Sequence, residues 1–265
     1  MARTALLNVM VKAATKAGRT LARDFGEVEN LQVSRKGPGD FVSSADHRAE
    51  EIIREVLEQA RPNYGFLMEE SGEVVGSDSQ HRWIVDPLDG TTNFLHGIPH
   101  FAISIALERE DLLVAGVIYN PITEELYWAE RGKGAFLNDR RLRVSSRNNL
   151  ADCLIATGIP FAGRPGHAAF QKELKTIMPA VAGIRRFGSA ALDLAYVAAG
   201  RYDGYWERGL NRWDIAAGIL LVREAGGTVL DTEGQPRTLE TGNVIATNGT
   251  LQKPLTDLIM AASKT

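Results

Sequence analysis

Two carboxylates, Asp86 and Asp89, stand three residues apart around a proline in the stretch Trp83 to Phe94, which reads Trp-Ile-Val-Asp-Pro-Leu-Asp-Gly-Thr-Thr-Asn-Phe. Gly90, Thr91 and Thr92 follow, small residues that leave backbone N–H groups and hydroxyls open beside the acids. Paired acids next to amide donors suit a hard, oxygen-liganded cation that carries a phosphate, because the ion neutralises charges that would otherwise repel one another. Glu69 and Asp214 offer two further acids from distant parts of the chain. Several acids can converge only where cations neutralise them, and Mg²⁺ suits carboxylates combined with water and a substrate phosphate. A phosphate hydrolase follows from that chemistry. Taken singly, the acids have simpler readings. Asp214 opens an apolar helix and reads as an N-terminal cap, and Asp46 lies at a helix start where the dipole favours it as readily as catalysis would.

The elements that must position these residues show in the periodicity. Leu6, Val9, Met10, Ala13, Ala17 and Leu21 recur at helical spacing, so the basic N-terminal stretch is expected to be an amphipathic domain helix rather than a transit peptide. Leu31 to Lys36 reads as a strand and Gly37-Pro38-Gly39-Asp40 as a turn. Ser43, Ser44 and Asp46 then start a helix that runs to about Gln59. Tyr64 to Met68 is a short strand that delivers Glu69 and Glu70 to its end. Trp83 to Val85 is a buried strand expected to stop at Asp86, since Pro87 cannot donate to a ladder. Phe101 to Leu107, Leu112 to Tyr119 and Glu125 to Trp128 form an antiparallel meander. From about residue 150 strands alternate with helices at 166 to 178, Ala190 to Ala199, Trp213 to Ala225 and Leu251 to Ala262. The division expected is an N-terminal lobe at 1–148 that carries the acidic motif and an α/β lobe at 149–265, closely packed as one unit.

Composition narrows the function classes. With 265 residues, 44% apolar, and a formal net charge of −3, the chain is globular and has no global basic surplus for nucleic acid. The single cysteine, Cys153, excludes an intrachain disulfide and a multi-cysteine metal site, and is compatible with the cytoplasm. No apolar stretch is long enough to span a bilayer, so no membrane association is expected. His96 and His100 are four apart, but Gly97 and Pro99 between them argue against a helical metal pair. Ser189 lies in no Gly-x-Ser-x-Gly sequence, and no Gly-x-x-x-x-Gly-Lys-Ser/Thr loop is present.

Glu69-Glu70-Ser71, Asp86-Pro87-Leu88-Asp89-Gly90-Thr91-Thr92-Asn93-Phe94, Trp213-Asp214-Ile215-Ala216-Ala217-Gly218 and Glu224-Ala225-Gly226-Gly227 together resemble the inositol monophosphatase family, in its order and over nearly the whole chain, with most similarity to its bacterial members. The resemblance implies a layered α/β fold, the five-layer α-β-α-β-α sandwich shared with sugar bisphosphatases. It implies a first Mg²⁺ on Glu69, Asp86 and the Leu88 carbonyl, a second on Asp86, Asp89 and Asp214, and a weaker third helped by Glu69. Thr91, oriented by Asp46, would activate the attacking water together with Glu69. Amides at Gly90, Thr91 and Thr92 would hold phosphate, while Gly188, Ala190 and Glu207 would line the alcohol side, with Asp89 also close to the substrate. The activity implied is Mg²⁺-dependent, lithium-sensitive hydrolysis of inositol 1-phosphate by a homodimer. The loop at 36–40 and the pair Asn211-Arg212 depart from the family pattern.

The same phosphate machinery would serve a sugar bisphosphate, a nucleotide 3′-phosphate or histidinol phosphate, because it handles the phosphate and not the alcohol. Arg140, Arg141, Arg143 and Arg147 form the densest basic cluster and Arg185-Arg186 a second. These read first as solvated faces. The resemblance to bacterial members, some of which associate with the transcription machinery, adds RNA or RNA polymerase as an alternative partner.

Overall fold

In a computed structural model of the chain, which describes residues 3–27, 33–37 and 40–263, the periodic segments fold into two principal sheets and three helical layers. Helix α1 (Ala5–Phe25) is capped by Thr4, whose hydroxyl accepts from the Leu7 amide, and buries Leu7, Met10, Ala13, Ala14, Ala17 and Leu21 on one face. A hairpin of β1 (Val33–Gly37) and β2 (Asp40–Ser43) leads into α2 (Ser44–Ala60). Leu31, Gln32, Pro38 and Gly39, which the strand and turn expectations include, lie outside the described residues. Next come β3 (Tyr64–Met68), β4 (Gly72–Val74), β5 (Asp78–Asp89), the short α3 (Thr91–Leu95), β6 (Ala102–Arg109), β7 (Leu112–Asn120), β8 (Glu125–Glu130), β9 (Gly134–Leu137) and β10 (Arg140–Arg141). They make an eight-stranded sheet in the order β10-β9-β8-β7-β6-β5-β3-β4, antiparallel except where β3 runs parallel to β5. Strand β9 extends the expected meander, and the short α3 was not signalled by its sequence.

The C-terminal half supplies β11 (Leu154–Thr157), α4 (His167–Ile177), β12 (Gly183–Arg185), α5 (Ala190–Ala198), β13 (Gly204–Glu207), α6 (Arg212–Glu224), β14 (Thr228–Leu230), α7 (Thr238–Thr241), β15 (Val244–Thr247) and α8 (Gln252–Ala262). Its five strands order as β12-β11-β13-β15-β14, with β11 parallel to both neighbours and β15 antiparallel to both of its own.

Side-chain alternation along the strands sets the layers. Trp83 and Val85 of β5 pack with α1 and α2, whereas Ile84 packs with α5 and α6 on the other face. In the smaller sheet Ala156, Tyr205 and Ala246 face α5 and α6, while Ile155, Trp206 and Ile245 face α4 and α8. The result is the expected five-layer α-β-α-β-α sandwich, with α5 and α6 as the middle layer. Small residues make that middle layer possible. A Cβ on Gly116 of β7 would lie 3.1 Å from the Ala217 Cα of α6, and a Cβ on Gly218 would lie 2.5 Å from the Leu194 Cβ of α5.

Strand β5 does not stop at Asp86. It continues to Asp89 through a bulge, because Asp86 pairs with Ser104 and Asp89 with Ala102, so the β5 strand carries one residue more than β6 over that interval. Pro87 sits in the bulge, where a missing N–H leaves no ladder bond unmade.

Gly218→Ala is expected to cost about 1–3 kcal/mol through overpacking of α5 against α6. Urea unfolding would show a lower midpoint at unchanged slope; an unchanged midpoint would mean that the two helices can part without loss.

Candidate active site

The bulge in β5 is the first positioning device. Residues three apart on a regular strand point to opposite faces, but one extra residue resets the alternation, and Asp86 and Asp89 line the same cavity of about 600 Å³. The Leu88 amide donates to Asp86 Oδ1 at 2.9 Å within the bulge, and the Leu88 backbone lies on the cavity wall. Gly90 follows with φ +99°, the left-handed region open to glycine, and a Cβ there would come within 3.0 Å of the His100 carbonyl oxygen. Thr91 and Thr92 then open α3 toward the cavity.

The other acids arrive by separate routes. Glu69 leaves the end of β3, its amide bonded to the Val85 carbonyl at 3.2 Å. Asp214 is the third residue of α6 rather than its cap; the cap is Asn211, whose amide donates to Asp214 Oδ2 at 2.7 Å in a capping box. Asp46 repeats that geometry at the start of α2, where its Oδ2 accepts from the Ser43 amide and hydroxyl at 2.8 and 2.6 Å. Asp46 is fully buried behind the cavity wall and enters the site through Thr91, whose Oγ1 lies 3.1 Å from Asp46 Oδ1 and 3.0 Å from the Leu88 carbonyl oxygen. All other expected site residues, Glu69, Asp86, Leu88, Asp89, Gly90, Thr91, Thr92, Gly188, Ala190, Glu207 and Asp214, line the cavity together.

Crowding shows in the electrostatics. Burial, and then the charges of Glu69, Asp89 and Asp214, pushes the Asp86 carboxyl well above its ordinary range. Asp214 is raised by burial and by Asp89, and Asp46 by burial against the pull of its hydrogen bonds. Burial lifts Asp89 to about 6, while hydrogen bonds from Ser189 and Ala191 hold it down. Asp89 Oδ2 accepts from Ser189 Oγ and from the Ala191 amide, both at 2.7 Å. Glu207, whose charge also raises Asp89, lines the cavity with its Oε2 accepting from the Tyr205 hydroxyl at 2.6 Å. Its carboxylate lies over Gly158, where a Cβ would come within 1.9 Å of the carboxyl carbon. Arg164 and Arg186 line the cavity and act on the Glu207 carboxylate.

Sequence reasoning missed several of these groups. Ser189 has no acyl-transfer context, yet its hydroxyl serves Asp89. Asn93 donates from Nδ2 to the His100 and Phe187 carbonyls at 2.8 and 2.7 Å and so ties α3 to the segment before α5. Asp193, buried in α5 with Oδ1 unpartnered, is pushed well above the carboxylate range by burial and by the Glu207 and Asp89 charges. A lone acid in the Ala/Leu-rich run Ala190 to Ala198 was the available signal for it. His96 and His100 lie beyond the end of α3, and His96 Nδ1 is bonded to the Thr92 carbonyl oxygen at 2.7 Å.

The donor set is all oxygen, from Glu69, Asp86, the Leu88 carbonyl, Asp89 and Asp214, which fits a hard divalent cation, and the raised carboxyl values mark charge that a cation would neutralise. Among the described residues no group of three or more Asp, Glu, His or Cys side chains is gathered to hold an ion as it stands. Asp89 and Asp214 each turn Oδ2 to protein donors, so the set fits by chemistry in an open arrangement.

The sequence profile of the inositol monophosphatase family matches residues 2–265, and the chain belongs to that family. It is 66% identical over 255 residues to the inositol-1-monophosphatase of Mesorhizobium japonicum, covering 96% of each chain. It is 45% identical over 241 residues to the Nus factor SuhB of Pasteurella multocida, covering 91% of this chain and 90% of the relative. The crystal structure of the extragenic suppressor protein suhB from Bartonella henselae superposes with a TM-score of 0.94 at 63% identity, over 97% of this chain and 98% of that one.

The Asp89 value of about 6 lies above the ordinary 3.8, so between those values the folded, metal-free chain holds a proton that the unfolded chain has lost. This contribution to stability is fully present below the ordinary value and disappears as pH rises through about 6. The metal-free native chain should therefore lose Tm as pH rises from about 4 to about 6, and Asp89→Asn should show a shallower fall over that window, the other raised carboxyls keeping part of the slope. Thermal melts of both would decide it, and equal slopes would contradict the burial assigned to Asp89.

Proposed function

We propose that the chain is a Mg²⁺-dependent phosphatase that releases myo-inositol and phosphate from inositol 1-phosphate. The observation that carries this reading is the convergence of Glu69, Asp86, Leu88, Asp89 and Asp214 in the same cavity as Gly90, Thr91, Thr92 and Glu207. Glu69, Asp86 and the Leu88 carbonyl would hold one Mg²⁺ and Asp86, Asp89 and Asp214 a second, with Glu69 available to a third. When bound, the ions supply a lowered water pKa and neutralise charge on the phosphoryl and leaving oxygens.

This chain's own residues account for the rest. A hydroxyl carries one proton and two lone pairs, so Thr91 can donate a hydrogen bond to Asp46 and accept one from a water. Glu69 accepts from the same water and fixes its line of attack on phosphorus. Backbone N–H groups at Gly90, Thr91 and Thr92 hold the phosphate oxygens, with Asp89 beside them. Glu207, fixed by Tyr205 over Gly158, accepts from hydroxyls of the alcohol, and Gly188 and Ala190 leave room for its ring. Water attacks in line and yields a proton to Glu69, the P–O bond to the alcohol breaks with its electron pair on the alcohol oxygen, which takes a proton from solvent, and no covalent phosphoenzyme is required.

The setting proposed is a homodimer in the cytoplasm; no described helix is long and apolar enough to cross a membrane. Arg164 and Arg186 beside Glu207 favour, as a second reading, a more anionic monoester such as a sugar bisphosphate. A nucleotide 3′-phosphate and histidinol phosphate complete the range of alternative substrates. The likeness to relatives named Nus factor SuhB supports a separate association with RNA or RNA polymerase. Exposed Arg140 and Arg141 on edge strand β10 and nearby Arg143 would serve it, whereas Arg147 is paired with Asp203 at 3.1 Å.

Purified protein assayed on these monoesters with and without Mg²⁺ and Li⁺ should turn over inositol 1-phosphate with the highest kcat/KM, lose activity to a chelator and be inhibited by Li⁺. No phosphate release from any of them would refute the reading. Asp89→Asn should lower kcat by about a thousandfold or more with an unchanged circular dichroism spectrum; full activity would remove Asp89 from the metal set.

A further inference from the structure

Helix α2 carries two buried carboxylates one turn apart, Asp46 at 0% and Glu50 at 3% exposure. Their i, i+4 spacing puts both on one face of the helix. Asp46 reaches Thr91. Glu50 reaches a different segment: its Oε2 accepts from the Glu70 amide at 2.9 Å and its Oε1 from the Ser71 hydroxyl. Glu70 and Ser71 form the turn that leaves β3 directly after Glu69. The backbone of Glu69 is thus fastened on both sides, through its own amide to the Val85 carbonyl and through the next amide to Glu50.

We infer that Glu50 is a positioning residue, which sets Glu69 relative to Thr91 by tying both to one rigid helix. The kinetic part of this inference rests on the phosphatase reading; the structural part does not. A carboxylate is suited to the task because its two oxygens can accept at once from a backbone N–H and a neighbouring hydroxyl, while the helix fixes its base. Without it the turn keeps its β3–β4 ladder, so the expected consequence is a displaced Glu69 rather than a lost fold. Misplacement of a catalytic group by a fraction of an ångström to about an ångström lowers kcat far more than it alters substrate binding.

The test compares Glu50→Ala, Glu50→Gln and Asp24→Ala in the full chain. Asp24→Ala is the structural control, since it breaks a different, partly buried anchor of α2, the 2.6 Å pair between Asp24 and Arg48. Glu50→Ala should speed hydrogen exchange of the Glu70 amide by about tenfold or more, read residue by residue by NMR. It should also lower kcat on inositol 1-phosphate by about 10- to 100-fold with KM within about twofold. Glu50→Gln, whose amide oxygen can still accept from Glu70 and whose NH₂ can donate to Ser71, should restore both. Asp24→Ala should lower Tm and change neither. Unchanged exchange in Glu50→Ala would overturn the clamp. Faster exchange at unchanged kcat, or an equal kcat loss in Asp24→Ala, would overturn the link to Glu69. If Glu50→Ala does not fold, Ser71→Ala, which removes one of the two contacts, decides by the same readouts with smaller effects. A wild-type chain inactive on every monoester would refute the phosphatase reading alone, and Glu70 exchange would still decide whether Glu50 holds the turn.

Discussion

Mutual repulsion among four carboxylates at the floor of one cavity is the constraint on which the rest of the structure depends. Burial and neighbouring charge raise Asp86 and Asp214, and each acid must be held against forces that would turn it outward or neutralise it with a proton. The chain meets this with backbone geometry. A bulge in β5 points Asp86 and Asp89 the same way, and a capping box fixes Asp214 at the first turn of α6. The end of β3 supplies Glu69. None of these devices is long or flexible, which is what a site that must keep like charges together requires.

The layered architecture follows from the need to bring those devices to one place. Asp86 and Asp89 come from the large sheet and Asp214 from α6, the helix that lies between the sheets. That insertion depends on small residues at the contact surfaces, Gly116 and Gly218 foremost, and on alanines of α6 and β6 that let backbone approach backbone. Helix α2, on the outer face of the large sheet, supports the site from behind. Its two buried acids reach separate turns, so the outer layer also takes part in setting the site.

The part of the cavity around Glu207 is of a different kind. Glu207 is held by one hydroxyl and one absent Cβ, and it is flanked by two arginines. Under the proposed function the acidic motif handles the phosphate and the residues around Glu207 the alcohol, so the two can be specified separately.

Much of the fold was legible because its signals are local. The alternation of apolar residues marked the meander, helical spacing marked α1, α2, α5 and α6, and Asp-Pro-Leu-Asp-Gly-Thr-Thr announced cation and phosphate chemistry. The sequence by itself determined which residue types could do that chemistry and, through order and spacing, the family to which they belong. It could not show that β5 passes through Pro87, because a bulge depends on the register of a partner strand. Nor could it show that Ser189 serves Asp89, that Tyr205 and Gly158 hold Glu207, or that Glu50 reaches the turn beyond Glu69. Those contacts join residues far apart in the chain, and their partners are chosen by how helices and sheets pack. Only the tertiary structure decided them, since a hydrogen bond between distant residues leaves no periodicity in the sequence to read.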